Sequence, residues 1–204
     1  MERKLAAADR RLLQVVDDAL AGAAARAGDH LACRPGCTEC CHGPFPINAL
    51  DARRLREGVA ALAARDPERA RRLAGRARAQ IPVLSEGFPG DPRTGALAPE
   101  EELEDEAAAE AFFSRHAALP CPALAPETGR CEVYEHRPIT CRTFGPPVRI
   151  GDADLPPCRL CFAGSSPAEV EACRVELDPD GLEDRLLGRL GDAPETLAAF
   201  VLAD

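Results

Sequence analysis

The sequence has no tryptophan, one tyrosine, one methionine and a single lysine. Aromatic residues make up only 4% of its 204 positions. A core with so few rings has to be assembled from Leu, Val and Ala, which favours helices over sheets. Also missing is any apolar run near the ~20 residues that a membrane-spanning helix needs. There is no phosphate-cradling Gly-rich loop, no G-x-S-x-G and no H-E-x-x-H, so the usual marks of nucleotide binding, serine hydrolysis and zinc proteolysis are lacking. Positive charge is outweighed: the formal net charge is −9, which argues against nucleic acid or an anionic membrane as partner of the whole molecule. The first twenty residues, MERKLAAADRRLLQVVDDAL, are charged and amphipathic and lack the apolar centre of a secretory signal. The expectation is a cytoplasmic protein.

What the sequence has in excess is cysteine, ten in all. In a reducing compartment, clustered cysteines serve as metal ligands or catalytic thiols more often than as disulfides. The chain is also long enough to be stable without staples. Four of the ten fall within CRPGCTECCHG, residues 33–43.

Helical periodicity places most of the rest. Leu5, Leu12, Val16 and Leu20 form one stripe in a helix expected over residues 2–27. A second helix is expected over about 49–65, with Leu55, Val59 and Leu62 on one face. A third starts at Asp66-Pro67, a cap followed by Pro in the first turn, and should fade by Ile81-Pro82. Residues 85–99 read as a Gly- and Pro-rich loop, and 100–117 as a fourth helix with the acidic start EEELEDE. The stretch 119–165 is proline-rich loop with short helical turns, one of them starting at Pro138. Ser166, Pro167 and Glu169 form a capping box opening a helix over 167–177. Short helices at 182–190 and 194–202 complete the chain. The fold expected is a single, mainly α domain over 1–204, with irregular cysteine-rich metal-binding loops at about 30–47 and 119–165.

The cysteine spacing is Cys33-x3-Cys37-x2-Cys40-Cys41, then Cys121, Cys131 and Cys141, then Cys158-x2-Cys161 and Cys173. A C-x2-C step lets two thiolates converge on one ion while the backbone turns between them. Gly36 suits a tight ligand loop that requires positive φ. Cys40 and Cys41, being adjacent, are hard to aim at one ion, so they could serve two centres, or one could be a reactive thiol. Cys33, Cys37, Cys40, Cys41, Cys121, Cys131, Cys141 and Cys158 together make eight candidate ligands, enough for one or two four-thiolate centres. Arg137 and Arg142 flank Cys141 and could offset thiolate charge. Cys33, Cys37 and Cys40 also match the C-x3-C-x2-C step of radical-SAM enzymes, but the helical patterning leaves no room for the parallel barrel those enzymes use. His42 and His136 read as loop or capping residues rather than ligands, His30 and His116 have no supporting context, and Tyr134 reads as a packing residue. Nine arginines in 53–78 could face RNA or an acidic partner. Seven acidic residues in 100–110 and the lack of interleaved aromatics favour intramolecular pairing or solvation instead.

CRPGCTECCHG, followed by CPALAPETGRCEVYEHRPITCRTFG (121–145), resembles the YkgJ-type cysteine-cluster family of zinc- or iron-chelating domain proteins. The carriers are the Cys40-Cys41 pair and the phrase Gly129, Arg130, Cys131, Tyr134, Glu135, Arg137, Pro138, Cys141, Arg142 and Phe144. The x3 step from Cys33 to Cys37 departs from the commoner x2, and Cys161 and Cys173 fall outside the shared pattern. The resemblance implies a zinc site or an iron–sulfur cluster. Flagellin lysine methylases carry a similar cysteine motif, and some relatives are labelled iron–sulfur oxidoreductases. Three roles follow as expectations: a metal-binding protein, with function in a protein partner surface if the metal is structural; an iron–sulfur-dependent oxidoreductase or protein-modifying enzyme; or a thiol switch or metal-trafficking protein.

Overall fold

Side-chain caps open four helices in the computed structural model, which describes residues 2–103, 105–191 and 193–204. Along the chain come α1 (Glu2–Ala27), β1 (Pro46–Ile47), α2 (Ala49–Arg65), α3 (Pro67–Ser85), β2 (Gly90–Asp91), β3 (Ala96–Leu97) and α4 (Glu106–Arg115). Then follow β4 (Leu124–Ala125), β5 (Arg130–Cys131), α5 (Ile139–Arg142), β6 (Val148–Ile150), β7 (Ala153–Leu155), α6 (Pro167–Ala172), β8 (Val175–Leu177), α7 (Leu182–Leu190), β9 (Thr196–Leu197) and α8 (Ala198–Ala203). Asn48 accepts the Asp51 amide at 3.0 Å to open α2, and Asp66 accepts that of Arg69 at 3.0 Å to open α3. Ser166 and Glu169 form the reciprocal box expected at α6. The mainly α class is as expected, with cysteines in or beside the loops.

Four boundaries differ, each for a local reason. Helix α3 runs past Pro82 to Ser85, because a proline so near the end removes one backbone bond and the Ser85 hydroxyl donates to the Ile81 carbonyl at 2.8 Å. The fourth helix starts only at Glu106, since Asp105 takes the capping role for Ala108; Glu100–Glu102 form a separate 3₁₀ turn, and Glu104 of the acidic run lies outside the described residues. Helix α6 stops at Ala172, and Val175-Glu176-Leu177 pair as a strand with β6, burying the two apolar residues and exposing the glutamate. Residues 196–197 pair with both β1 and β3, so α8 begins at Ala198.

The chain divides into two compact units. The first comprises Met1–Pro35 and Ile139–Asp192. In it, α1 packs on α5, α7 and β8, burying Leu12 and Val16. Its sheet has the order β7-β6-β8, and Arg142 donates to both carboxylate oxygens of Asp17 at 2.7 Å. The second comprises Gly36–Pro138 and Ala193–Asp204. Here α2, α3 and α8 pack around Leu55, Leu62, Leu73, Ala77, Val201 and Leu202, beside a small sheet of order β1-β9-β3-β2. No described helix is long and apolar enough to cross a membrane.

In the second unit, α2 approaches the turn Tyr134–His136 at Gly58. A Cβ there would sit 2.7 Å from His136 Cβ and 3.2 Å from Val133 Cβ. Alanine gains about 1 kcal/mol over glycine inside a helix. Overpacking a tight contact costs about 1–3 kcal/mol. The contact wins, so Gly58→Ala is expected to lower stability by about 1 kcal/mol, measured by denaturant unfolding. A stabilised variant would mean that the turn yields freely.

Candidate metal centre

The second unit holds Cys37, Cys40, Cys41, Cys121 and Cys131, and backbone pairing explains why they meet. Cys40 and Cys41 lie in a 3₁₀ turn, Glu39–Cys41, closed by the Cys41 amide donating to the Thr38 carbonyl at 2.8 Å. Beyond the turn the chain runs antiparallel to 119–121. The Gly43 amide donates to the Leu119 carbonyl at 2.8 Å, the Cys121 amide to the Cys41 carbonyl at 2.7 Å, and His42 bridges to Pro120. Cys121 is thereby laid beside Cys41. The β4–β5 hairpin then pairs Leu124 with Cys131 and returns the chain to the same place. Gly129, at φ +63°, makes the hairpin turn; a Cβ there would lie 3.5 Å from Thr38 Cγ2, so the turn rests on the loop before the vicinal pair.

Helix α3 grips this assembly from behind. Glu132, next to Cys131, is 3% exposed and ion-paired with Arg69 at 2.5 Å and with Arg76. Arg76 also donates to the Pro122 carbonyl at 2.9 Å and Gln80 to the Pro120 carbonyl at 2.7 Å. Other arginines of 53–78 pair with Asp51, Glu57 and the chain's last residues. Intramolecular pairing thus accounts for many of these charges, two of them through Glu132.

The thiols sense one another. The Cys41 thiol donates to the Cys40 sulfur, which pulls Cys40 down to about 6. The same bond, then burial, then the neighbouring sulfurs of Cys40, Cys121 and Cys131 push Cys41 far up. Burial pushes Cys121 up to about 11 and raises Cys131. Backbone amides of Ala123 and Leu124 bond the Cys121 sulfur, that of Val133 bonds Cys131, and the Arg137 guanidinium favours ionised Cys40 and Cys131. Arg137 is itself seated over the Tyr134 ring at 3.9 Å. Tyr134 is 54% exposed, so it supports an arginine rather than packing in the core as its sequence context suggested. His42 Nδ1 lies 2.9 Å from the Thr38 carbonyl, which fixes the ring across the turn.

Four half-buried sulfurs close enough to shift one another's ionisation, with amides aimed at two of them, make a donor set that suits a soft cation. Among the described residues, no group of three or more His, Cys, Asp or Glu side chains is placed to hold a metal ion. None of the ten cysteines is joined in a disulfide. Of the eight sequence candidates, Cys33, Cys141 and Cys158 belong to the first unit, so the 33–41 block is divided between units after Pro35. Sequence reading missed Glu132 and its holders, although Arg69, Arg76 and Gln80 stand at seven- and four-residue steps on one helix face.

A helical scaffold presenting opposed thiol-bearing loops defines a small chelating protein. The chain belongs to the CxxCxxCC family, described as a "putative zinc- or iron-chelating domain", which matches residues 32–158. No curated protein and no solved structure is significantly similar to it. Membership supports metal binding in general and names zinc and iron alike.

Cys173 lies beyond the matched span and is 6% exposed, packed with Ala27 and Phe162 in the first unit's core. Cys173→Ser is expected to leave metal content unchanged while costing about 1–3 kcal/mol for a buried hydroxyl. Elemental analysis and thermal unfolding of one sample check both halves, and a loss of metal would make Cys173 a ligand.

Proposed function

We propose that the second unit binds zinc or iron through the thiolates of Cys40, Cys41, Cys121 and Cys131, with Cys37 in the same loop as a further donor. The observation that carries this reading is the antiparallel pairing of 41–43 with 119–121. It brings the vicinal pair to Cys121 through the backbone, before any side chain turns. The chain's own residues then do three things. Arg137 and the amides offset thiolate charge, Glu132 anchors the hairpin to α3, and Gly36 and Gly129 permit the tight loops. Four thiolates around zinc would act structurally, whereas an iron–sulfur cluster would bring one-electron redox chemistry.

A second reading, metal trafficking, is favoured by the partial exposure of Cys37, Cys40 and Cys41, which leaves a bound metal reachable by an incoming thiol. Oxidoreductase or protein-modifying activity follows only if the metal is an iron–sulfur cluster. Clustered cysteines in this number fit a reducing, cytoplasmic compartment, and a structural metal would place the function in a protein-partner surface.

Anaerobic purification, with elemental analysis and an absorption spectrum on one sample, tests the proposal. Brown protein with iron and acid-labile sulfide supports a cluster, and colourless protein with stoichiometric zinc supports a structural or trafficking site. Protein that neither retains nor takes up either metal overturns it.

A further inference from the structure

The C-x2-C step of the first unit is a built turn. Pro156 and Pro157 lead into it, and the Cys161 amide donates to the Cys158 carbonyl at 2.7 Å. A four-residue turn closed in this way keeps its end Cα atoms within about 7 Å of each other. A disulfide needs Cα atoms about 4.4–6.8 Å apart. The backbone thus holds Cys158 and Cys161 at a separation one disulfide can span, while neither is joined to another cysteine.

The turn is held at both ends. The Cys158 amide donates to the Gly145 carbonyl at 3.0 Å, and the Phe162 amide to the His30 carbonyl at 2.7 Å. Phe162 takes φ +56°, unusual for a bulky residue, and its ring stacks on His30 at 5.4 Å with the planes 2° apart. The Ser165 hydroxyl and His30 Nδ1, 3.0 Å apart, complete the brace. Such a backbone conformation persists only where the surroundings fix it, and here they fix the residue next to Cys161.

The two sulfurs differ in reach. Cys161 is 5% exposed, part of the buried cluster with Ala27, Phe162 and Cys173, and its Sγ accepts the Ala32 amide at 3.4 Å. Cys158 packs against that cluster but is only half-buried. Arg159 and Leu160, between them, are exposed, so the outer face of the turn is open. One reachable sulfur beside one sheltered sulfur is the arrangement that thiol–disulfide exchange needs: the first is attacked or attacks, and the second resolves.

We propose that Cys158 and Cys161 form a redox-active dithiol that exchanges with a small disulfide of the glutathione type. The Cys158 thiolate attacks one sulfur of that disulfide, whose S–S bond breaks. The first glutathione leaves as a thiol, carrying the proton that Cys158 gave up. Cys161 then attacks the Cys158 sulfur, and the second glutathione leaves with the proton from Cys161. The products are the 158–161 disulfide and two glutathione thiols. Two electrons pass from the protein to the small disulfide, and excess glutathione thiol reverses both steps. The couple stands on the first unit alone and needs no metal.

Equilibrating chelator-treated, full-length protein with a series of reduced and oxidised glutathione ratios tests it. Each sample is quenched by alkylation, cut at arginine and mapped by fragmentation mass spectrometry. Cleavage after Arg159 separates the two cysteines, so their bond appears as a pair of linked peptides. Wild type is expected to give the 158–161 link in a fraction that rises with oxidised glutathione and falls again when reduced glutathione is restored. Cys161→Ser should stop at one glutathione on Cys158, and Cys158→Ser should leave Cys161 unmodified. Cys121→Ser, which strikes the second unit's centre, should leave the 158–161 link unchanged. The proposal is overturned if Cys158 and Cys161 of wild type stay alkylatable at every ratio, or if either pairs with Cys33, Cys141 or Cys173 instead.

Discussion

Cys121→Ser is expected to weaken metal binding at the second unit's centre by more than about 100-fold, the upper end of what losing even an outer partner of a ligand costs. Cys121 is held beside Cys41 by a main-chain bond at 2.7 Å, so a serine there keeps the backbone and removes only the soft donor. A hydroxyl is a poor substitute for a thiolate toward zinc or iron. Competition with a chromophoric chelator measures the change. The stabilisation conferred by metal should shrink with it: a 100-fold loss of affinity removes about 2.7 kcal/mol at saturating metal. Cys40→Ser should behave alike, because Cys40 carries the sulfur most readily ionised in the group. Unchanged affinity in both variants would exclude these thiols as ligands.

Glu132→Ala is expected to cost about 2–3 kcal/mol of stability in metal-free protein. Breaking a buried ion pair costs about 3–5 kcal/mol when the remaining charge stays buried. Here Arg69 and Arg76 are 36% and 26% exposed and can rehydrate, which places the loss at or below the lower end. Glu132→Gln preserves shape and some hydrogen bonding, so about 1–2 kcal/mol is expected. Urea unfolding of the three proteins gives the ranking. Because Glu132 ties β5 to α3, the alanine variant should also bind metal more weakly, which a purely surface pair would not cause. Stability within 0.5 kcal/mol of wild type would show that α3 does not hold the hairpin.

The helices were legible wherever a cap and a stripe coincide. Asp66-Pro67 announces α3, and Leu55 and Leu62 of α2 are buried as their spacing predicts. The short strands were not, because a two-residue strand has no period to read. β9 exists only because 196–197 lie between β1 and β3, a tertiary fact. Cysteine clustering named the chemistry, and the family match over 32–158 agrees with it. Which sulfurs meet was hidden, since spacing cannot show that 41–43 pairs with 119–121, nor that the chain passes from one unit to the other between Pro35 and Gly36. Pairing of the α3 arginines was foreseeable but not their partner, because Glu132 lies more than fifty residues away.

X-ray absorption spectroscopy at the metal edge of the loaded full-length chain tests the central claim most directly. Thiolate ligation predicts a first shell dominated by sulfur at about 2.3 Å. A first shell made only of nitrogen and oxygen, at about 2.0–2.2 Å, would contradict it.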